Sequence, residues 1–196
     1  VGDRGTLKTK EGALFVVEDT QRPVEGLVVH RGFVSQGTLK PGEAAHLEVD
    51  HTLRSATRRN HSATHLLHYA LRTVVGPSAM QKGSLVGPDR LRFDYSGSKP
   101  LTAEEIVRIE DLVNDKILLN AEITTEVLPM DEAKKRGAIG IFEEKYGEVV
   151  RMLTMTRDSI ELCGGTHATR TGDLGLFKVL SDSGVAAGVR RIEAAT

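Results

Sequence analysis

Three histidines in the first half of the chain have the spacing of one helix face. His61, His65 and His68 stand at positions i, i+4 and i+7, and on a helix they fall within about 60° of one another. The apolar residues of the same segment centre on the opposite side, so we expect the imidazoles to face solvent, a cleft or another domain. An ordinary polar helix face has the same pattern, so this spacing alone does not distinguish such a face from a functional site.

A second pair of candidate ligands lies much later in the chain. Cys163, the one cysteine of the protein, is followed at the same spacing by His167. The glycines at 164 and 165 allow a tight turn that brings both side chains to one point. Thiolate and imidazole are ligands that zinc prefers, in tetrahedral sets of four nitrogen and sulfur atoms. The sequence therefore predicts a zinc site with four ligands: His61, His65, Cys163 and His167.

The donor set leaves the chemistry of this site open. Four protein ligands fill a tetrahedron, which favours a structural site over a hydrolytic one with an open water position. Catalysis would need one ligand to be displaced, or a five-coordinate ion when substrate binds. Two other interpretations stay open. Cys163 is a buried structural thiol beside a surface histidine, or it is a nucleophile with His167 as its base.

Composition restricts the partners of the chain. Its 196 residues include 26 Lys and Arg against 27 Asp and Glu, a formal charge of −1, which excludes a protein that holds nucleic acid by charge alone. Any contact with nucleic acid must be local. A single cysteine excludes an internal disulfide and fits a reducing compartment. No apolar run approaches the ~18 residues of a membrane span, so we predict a soluble cytoplasmic protein.

Residues 1–55 have the pattern of short strands. Alternating or apolar runs at 13–18, 26–33 and 44–49 are separated by turn signals, which predicts a small β-barrel. At Asn60 the period becomes helical, with Asn60 as the predicted N-cap and Gly76-Pro77 as the stop. The sequence thus places the histidines on the helix that opens a second domain.

Residues 56–196 contain helices and strands without a βαβ rhythm. Thr102 and Glu105 form a capping box, which predicts a helix that ends near Asn120, and a shorter helix is predicted at 131–136. Strands are predicted at 90–95, 123–128, 148–155, 159–162, 175–180 and 188–194. The expected fold class is α+β. We expect a small N-terminal β-barrel (1–55) and a zinc-binding α+β domain (56–196), with the metal between a helix and a strand or loop.

Four segments of the chain resemble the editing domain of bacterial alanyl-tRNA synthetases. They are Asn60-His-Ser-Ala-Thr-His-Leu-Leu-His68, Ser84-Leu-Val86, Glu161-Leu-Cys-Gly-Gly-Thr-His167 and Gly184-Val-Ala-Ala-Gly-Val-Arg-Arg-Ile-Glu193. The resemblance covers the whole chain, and residues 1–55 resemble the β-barrel that precedes editing in that family. The start at Val1 without Met suggests an excised fragment that lacks the aminoacylation domain.

Two related families resemble the chain less closely. Freestanding editing proteins share both metal motifs, but the Gly-Val-Arg-Arg-Ile-Glu ending at 188–193 is more similar to the synthetase itself. Threonyl-tRNA synthetase has a similar pattern of histidine and cysteine, with a poorer match in the flanking sequence. A freestanding editing protein that acts in trans therefore remains the alternative within this resemblance.

The resemblance implies an activity and its site. It implies hydrolysis of the ester that joins serine or glycine to tRNA for alanine, with zinc on the four ligands already named. It places Thr64 and Gln81 by the aminoacyl group, and Gly164 and Gly165 as backbone donors. The partners would be mischarged tRNA(Ala) and the remainder of the synthetase chain. The competing hypothesis is a structural zinc module that positions tRNA without chemistry.

Residue chemistry agrees with such a task. A pocket that bonds to a substrate hydroxyl rejects the analogue without it, because its own polar groups would be left unpaired. Thr64, one residue before a candidate ligand, and Gln81, in a predicted loop flanked by glycines, could supply such groups for serine. Arg190 and Arg191, in a strand rich in Gly and Ala, are candidates for contact with tRNA phosphates. With a charge of −1 the chain should bind tRNA weakly.

Overall fold

The chain forms two compact units. A computed structural model describes residues 1–24, 26–140 and 147–196, which divide into Val1–Thr57 and Arg58–Thr196. The mixture of helices and antiparallel sheets confirms the α+β prediction. The assignment of residues 1–55 and 56–196 to a barrel and an editing domain stays a prediction. None of the helices in the described ranges is both long and apolar enough to cross a membrane.

The first unit contains a four-stranded antiparallel sheet in the order β3-β2-β1-β4. Its strands are β1 (Gly5–Thr9), β2 (Leu14–Val24), β3 (Leu27–Gln36) and β4 (Ala45–Val49). Three of them were predicted, and β1 was not. The predicted barrel is supported only as far as this sheet, because within the described residues no pairing joins the outer strands β3 and β4.

Helix α1 (His51–Val74) begins earlier than predicted. The carboxylate of Asp50 caps it, since Oδ1 accepts hydrogen bonds from the backbone N–H groups of Thr52 and Leu53, both at 3.0 Å. Asn60 as N-cap is therefore wrong. It is fully buried inside the helix, and its amide donates to the carbonyls of Gly87 and Pro88. The first turns escaped prediction because they are polar and carry no apolar period.

The second unit contains α1 from Arg58 onward and two further sheets. One has the order β10-β11-β6-β5, and the other has the order β7-β8-β9. These strands are β5 (Gln81–Val86), β6 (Leu91–Ser96), β7 (Thr124–Pro129), β8 (Val149–Thr156), β9 (Ser159–Leu162), β10 (Lys178–Ala186) and β11 (Val189–Ala195). Strand β5 occupies a segment expected to be a loop.

The remaining helices follow the sequence signals closely. Helix α2 (Ala103–Leu118) starts at the predicted capping box, in which Thr102 and Glu105 bond reciprocally. Helix α3 (Met130–Lys135) is the short helix predicted at 131–136, and a 3-10 turn spans Thr171–Leu174. Helices α2 and α3 were predictable because their signals lie close together in the sequence, whereas the 3-10 turn was not predicted.

Burial extends round most of α1. Leu66, Leu67 and Leu71 belong to the main core, together with residues of β6, α2, β8 and β11. His65 and His68 are buried as well, at 5% and 0% exposure. The prediction that the histidine face lies outside the packed interior is therefore wrong for these two. Strand β9 and the loop after it cover that face, which periodicity within one helix does not reveal.

Candidate metal centre

The four predicted ligands meet at one point. His61 and His65 come from α1, and Cys163 and His167 come from the loop after β9. Their ligand atoms all lie within 4.8 Å of one another. Cys163 Sγ is 3.6 Å from His61 Nε2 and 3.4 Å from His167 Nε2. Ligand atoms on a tetrahedral zinc are about 3.3–3.8 Å apart, given bonds of about 2.0–2.3 Å. The cluster therefore has the dimensions of a metal site.

Hydrogen bonds fix the rings of His61 and His167. His61 Nδ1 lies 3.1 Å from the carbonyl oxygen of Thr166. A carbonyl only accepts, so Nδ1 carries the proton and Nε2 is left as a lone pair. His167 Nδ1 lies 3.3 Å from Ser62 Oγ, which also accepts a hydrogen bond from the backbone N–H of Ala168. Both rings thus direct Nε2 at the sulfur of Cys163.

His65 presents an unsatisfied nitrogen to the cluster. Its Nδ1 is 2.7 Å from Glu161 Oε2, whereas its buried Nε2 has no hydrogen-bond partner among the described residues. A buried polar atom without a partner is costly. Coordination of a metal would satisfy this nitrogen, so the residues present fit a zinc ion.

The thiol of Cys163 is prepared for coordination. Burial alone would raise the pKa of Cys163, but the imidazoles of His167 and His61 in contact with its sulfur outweigh burial and lower the pKa to about 3. The thiolate, which is the form that binds metals, is therefore present at neutral pH. Burial also lowers the pKa of His167, to about 4, which keeps its imidazole neutral. Both residues enter the site in their ligating forms.

The Gly-Gly turn and an arginine hold the ligand loop. A Cβ at Gly165 would lie 2.2 Å from Cε1 of His61, so only glycine allows the loop to approach that ring. Arg151 on β8 donates to the carbonyl oxygens of Cys163 and Gly165, and its own carbonyl accepts from the N–H of Cys163 at 3.0 Å. Arg151 was not among the predicted site residues, because nothing in the neighbouring sequence marks an arginine within a strand as the residue that holds a loop.

Glu161 was also missed, although a signal for it was present. It precedes Cys163 by two residues at the end of β9, and side chains two apart lie on the same face of a strand. Its carboxylate binds both His65 and His68. A carboxylate two residues before a candidate ligand therefore predicts a hydrogen-bond partner for histidines of the metal site.

The other predicted site residues have separate environments. Thr64 is buried on α1, where its hydroxyl donates to the carbonyl of Asn60 at 2.8 Å. Gln81, expected in a loop, begins β5 and lies opposite Tyr95. Its amide donates to Ser84 at 3.2 Å. The place of Thr64 and Gln81 beside the aminoacyl group stays a prediction.

Arg190 and Arg191 are both paired with carboxylates. Arg190 binds Asp182 through two hydrogen bonds of 3.0 and 2.7 Å, with side chains 10% and 5% exposed. Arg191 binds Asp94 in the same way at 2.7 and 2.8 Å. Contact with tRNA phosphates stays a prediction for both residues, and a phosphate would have to share each guanidinium with its carboxylate.

Comparison with known proteins agrees with the resemblance of the motifs. A family model described as the threonyl and alanyl tRNA synthetase second additional domain matches residues 150–193, which include Cys163 and His167. The whole chain aligns with alanine–tRNA ligases, at 65% identity over 196 residues in Sorangium cellulosum. Identity is 56% over 195 residues in Methylobacillus flagellatus and 52% over 207 in Bradyrhizobium diazoefficiens.

The matches to the ligases cover this whole chain but only a small part of each ligase. Each covers 100% of this chain but only 21%, 22% and 23% of the three ligases. The chain thus spans about a fifth of the length of the curated relatives that it matches. Over its whole length the chain is therefore similar to one stretch of the alanine–tRNA ligases, and the matched synthetase domain includes Cys163 and His167 of the cluster.

Proposed function

We propose that this chain is the editing hydrolase of an alanine–tRNA ligase. It would hydrolyse the ester that links serine or glycine to tRNA(Ala), and leave alanyl-tRNA(Ala) intact. The observation that carries the proposal is the convergence of four ligand atoms within 4.8 Å in a chain that is similar to alanine–tRNA ligases over its whole length. The rest of the ligase would carry out aminoacylation, in the cytoplasm.

Zinc is the metal that we assign to the site. His61, His65, Cys163 and His167 would hold it, since three imidazoles and a thiolate suit zinc in both softness and number. When bound, zinc would supply a Lewis acid for the ester carbonyl, lower the pKa of a water, or orient the 3′ end of the tRNA. The chain's own residues would stabilise the developing negative charge and select the amino acid.

Accessibility of the cluster favours a catalytic over a purely structural site. His61, Cys163 and His167 are only half-buried, and Gly164 between them is exposed. The protein covers the opposite side, where Glu161 is buried. A substrate could therefore reach the ligand loop from solvent.

The Gly-Gly turn can stabilise negative charge. The backbone N–H groups of Gly164 and Gly165 have no hydrogen-bond partner among the described residues. Hydrolysis of an ester builds negative charge on the carbonyl oxygen, which backbone N–H groups stabilise when they are already in place. We assign these two groups to that task, with Arg151 holding the loop through the Gly165 carbonyl.

Thr64 and Gln81 are assigned to the choice of amino acid. The Thr64 hydroxyl gives its proton to Asn60, so it can only accept from a ligand, as it would from the hydroxyl of serine. Gln81 uses one N–H of its amide on Ser84 and keeps its carbonyl oxygen for substrate. Alanine would leave these acceptors unpaired. Glycine differs from alanine by one methyl, which a tight site excludes at a cost of about 1–3 kcal/mol.

Binding of tRNA by this chain should be weak. The formal charge is −1, and Arg190 and Arg191, the arginines proposed to meet phosphates, already bind carboxylates. We therefore assign most of the affinity for tRNA(Ala) to the remainder of the ligase chain. This predicts salt-sensitive binding, since each phosphate contact releases counterions.

The experiment is a deacylation assay on the chain as it stands. Seryl-, glycyl- and alanyl-tRNA(Ala) are incubated with zinc-loaded protein, with chelator-treated protein as control. We expect release of serine and glycine, little release of alanine, and loss of activity on chelation while circular dichroism still shows a folded chain. Serine release that survives complete removal of metal, or no release with zinc bound, contradicts the proposal.

The same assay separates the two other functions. A structural zinc module predicts unfolding on chelation and no deacylation by the loaded protein, because the binding energy of a structural zinc is folding energy. A nucleophilic Cys163 predicts an acyl-enzyme on the sulfur and alkylation that stops turnover in metal-free protein.

A further inference from the structure

Glu161 bridges a metal ligand and a histidine behind it. Oε2 of Glu161 lies 2.7 Å from His65 Nδ1, and Oε1 lies 2.8 Å from His68 Nδ1. The three residues are 3%, 5% and 0% exposed. Such short contacts, removed from water, are strong hydrogen bonds to a charged acceptor. The carboxylate is therefore held at both oxygens.

The bridge determines which nitrogen of each ring carries the proton. A carboxylate whose two oxygens both accept requires an N–H from each ring, so Nδ1 of His65 and Nδ1 of His68 are protonated. In a neutral ring the lone pair is then on Nε2. For His65 that atom faces the metal cluster. Glu161 thus selects the tautomer of His65 that can bind a metal.

His68 stands in the histidine stripe but outside the ligand set. The cluster of ligand atoms within 4.8 Å does not include it. Its ring packs against Phe93 with the centroids 5.5 Å apart, and its Nε2 is buried without a partner among the described residues. Within the described ranges, the side-chain hydrogen bond of His68 is the one to Glu161. It fixes the second carboxylate oxygen, and with it the rotation of the whole group.

We propose that Glu161 and His68 are a positioning pair for the metal ligand His65. They hold the His65 ring in its ligating tautomer and orientation, and the negative charge makes Nε2 a stronger donor. This inference rests on the metal assigned under the proposed function, but not on hydrolysis. Neither residue touches the metal or the substrate.

A buried polar network could instead serve stability alone. In that case its loss would lower the melting temperature of metal-free protein and leave the zinc affinity of the folded chain unchanged. Glu110 provides a matched control, because it is another buried glutamate, at 8% exposure. It accepts from the N–H of Val179 at 2.8 Å and from Lys178 at 2.7 Å, and it is not in the metal cluster.

Two sets of variants of the full chain test the pair. Glu161→Gln keeps the size of the side chain but offers one acceptor and one donor, so one of the two Nδ1–H bonds is lost. His68→Asn and His68→Leu give side chains with the same branched skeleton of four heavy atoms, but only asparagine keeps an N–H near the position of Nδ1. The readouts are the zinc dissociation constant, measured by competition with a chelator, and the visible absorption of the Co2+-substituted protein.

We expect Glu161→Gln to weaken zinc binding about 10–100-fold and to change the Co2+ spectrum. His68→Leu should weaken binding in the same direction, and His68→Asn should recover most of the affinity. Glu110→Gln should lower the melting temperature without a change in zinc affinity. If Glu161→Gln does not fold, the two His68 variants decide the question alone.

Three results would overturn the positioning pair. They are equal zinc affinity in the parent and in His68→Leu, equal losses in His68→Leu and His68→Asn, and a parent chain that takes up no zinc. Deacylation is measured separately. Zinc affinities that change as expected, in a chain that releases no serine, would refute the hydrolase and leave the pair standing.

Discussion

The imidazole of His61 lies directly against the backbone of Gly165. A Cβ at Gly165 would be 2.2 Å from Cε1 and 2.9 Å from Nδ1 of the ring. Real Cβ atoms do not approach other atoms so closely, so either the loop or the ring would have to move. Gly165 lies between Cys163 and His167 in the ligand loop. The absence of a side chain at Gly165 therefore allows this loop to approach His61 on α1 closely.

Gly165→Ala should therefore disrupt the metal centre. We expect zinc affinity and serine release to fall at least tenfold, because displacement of His61 removes one of four ligands. Gly164→Ala is the matched control, since a Cβ there meets nothing within 4 Å and the backbone N–H is kept. Zinc competition and deacylation assays on both variants are the measurements. Equal behaviour of the two would contradict the role of this contact.

Removal of His61 should abolish metal binding at a smaller cost in stability than removal of His65. His61 is half-buried, whereas His65 is buried and binds Glu161. His65→Ala leaves a buried carboxylate without one of its donors, and we expect it to lower the free energy of unfolding by about 2–4 kcal/mol. Both variants should lose serine release.

The measurements for this pair are a denaturant titration and a zinc assay on each variant. The core that contains Leu66, Leu67 and Leu71 remains in both, so both should fold. A variant that stays folded, binds no zinc and still releases serine would remove the metal from the mechanism.

Zinc binding should release a proton near neutral pH. Burial alone would lower the pKa of His65, but the charge of Glu161 raises it to about 10 in the metal-free protein. The ring is then protonated at pH 7, and zinc must displace that proton from Nε2. Cys163 contributes none, because its pKa is lowered to about 3.

The apparent zinc affinity should therefore rise with pH, by about tenfold per unit below the His65 pKa. The sign follows because a raised pKa favours the protonated form, which competes with the metal. Titration calorimetry in buffers of different ionisation enthalpy measures the released proton directly. An affinity that does not change between about pH 6 and about pH 8 would exclude this competition.

Arg190→Ala should destabilise the second unit more than Arg191→Ala. The Arg190–Asp182 pair is buried, and loss of one partner leaves an uncompensated carboxylate, at a cost of about 3–5 kcal/mol. The Arg191–Asp94 pair is 26% and 19% exposed, and its loss should cost about 1 kcal/mol. Thermal melts compare the two.

Binding of tRNA at two salt concentrations tests the phosphate role of the same residues. An Arg191→Ala variant that stays folded, with weaker binding and a smaller salt dependence than the parent, would support contact with a phosphate. Unchanged tRNA affinity in both variants would leave the two arginines with a structural role only.

The sequence alone identified the four residues whose side chains converge in the cluster. The two pairs of candidate ligands have the same spacing. His61 and His65 lie in a segment with helical periodicity, and Cys163 and His167 flank two glycines. Each of these signals comes from residues that are close together in the sequence, so it can be recognised without knowledge of the fold. The capping box of α2 is predictable for the same reason, and so are most of the strands.

The tertiary structure decided what supports those ligands. Glu161 and His65 are 96 residues apart in the chain. From the sequence, Arg190 and Arg191 have no assigned carboxylate partners. The fold pairs them with Asp182 and Asp94, respectively. Burial of the histidine face depends on β9 and its loop, which periodicity within α1 does not report. Hydrogen bonds and ion pairs form through space, so their partners are fixed only when distant segments pack together.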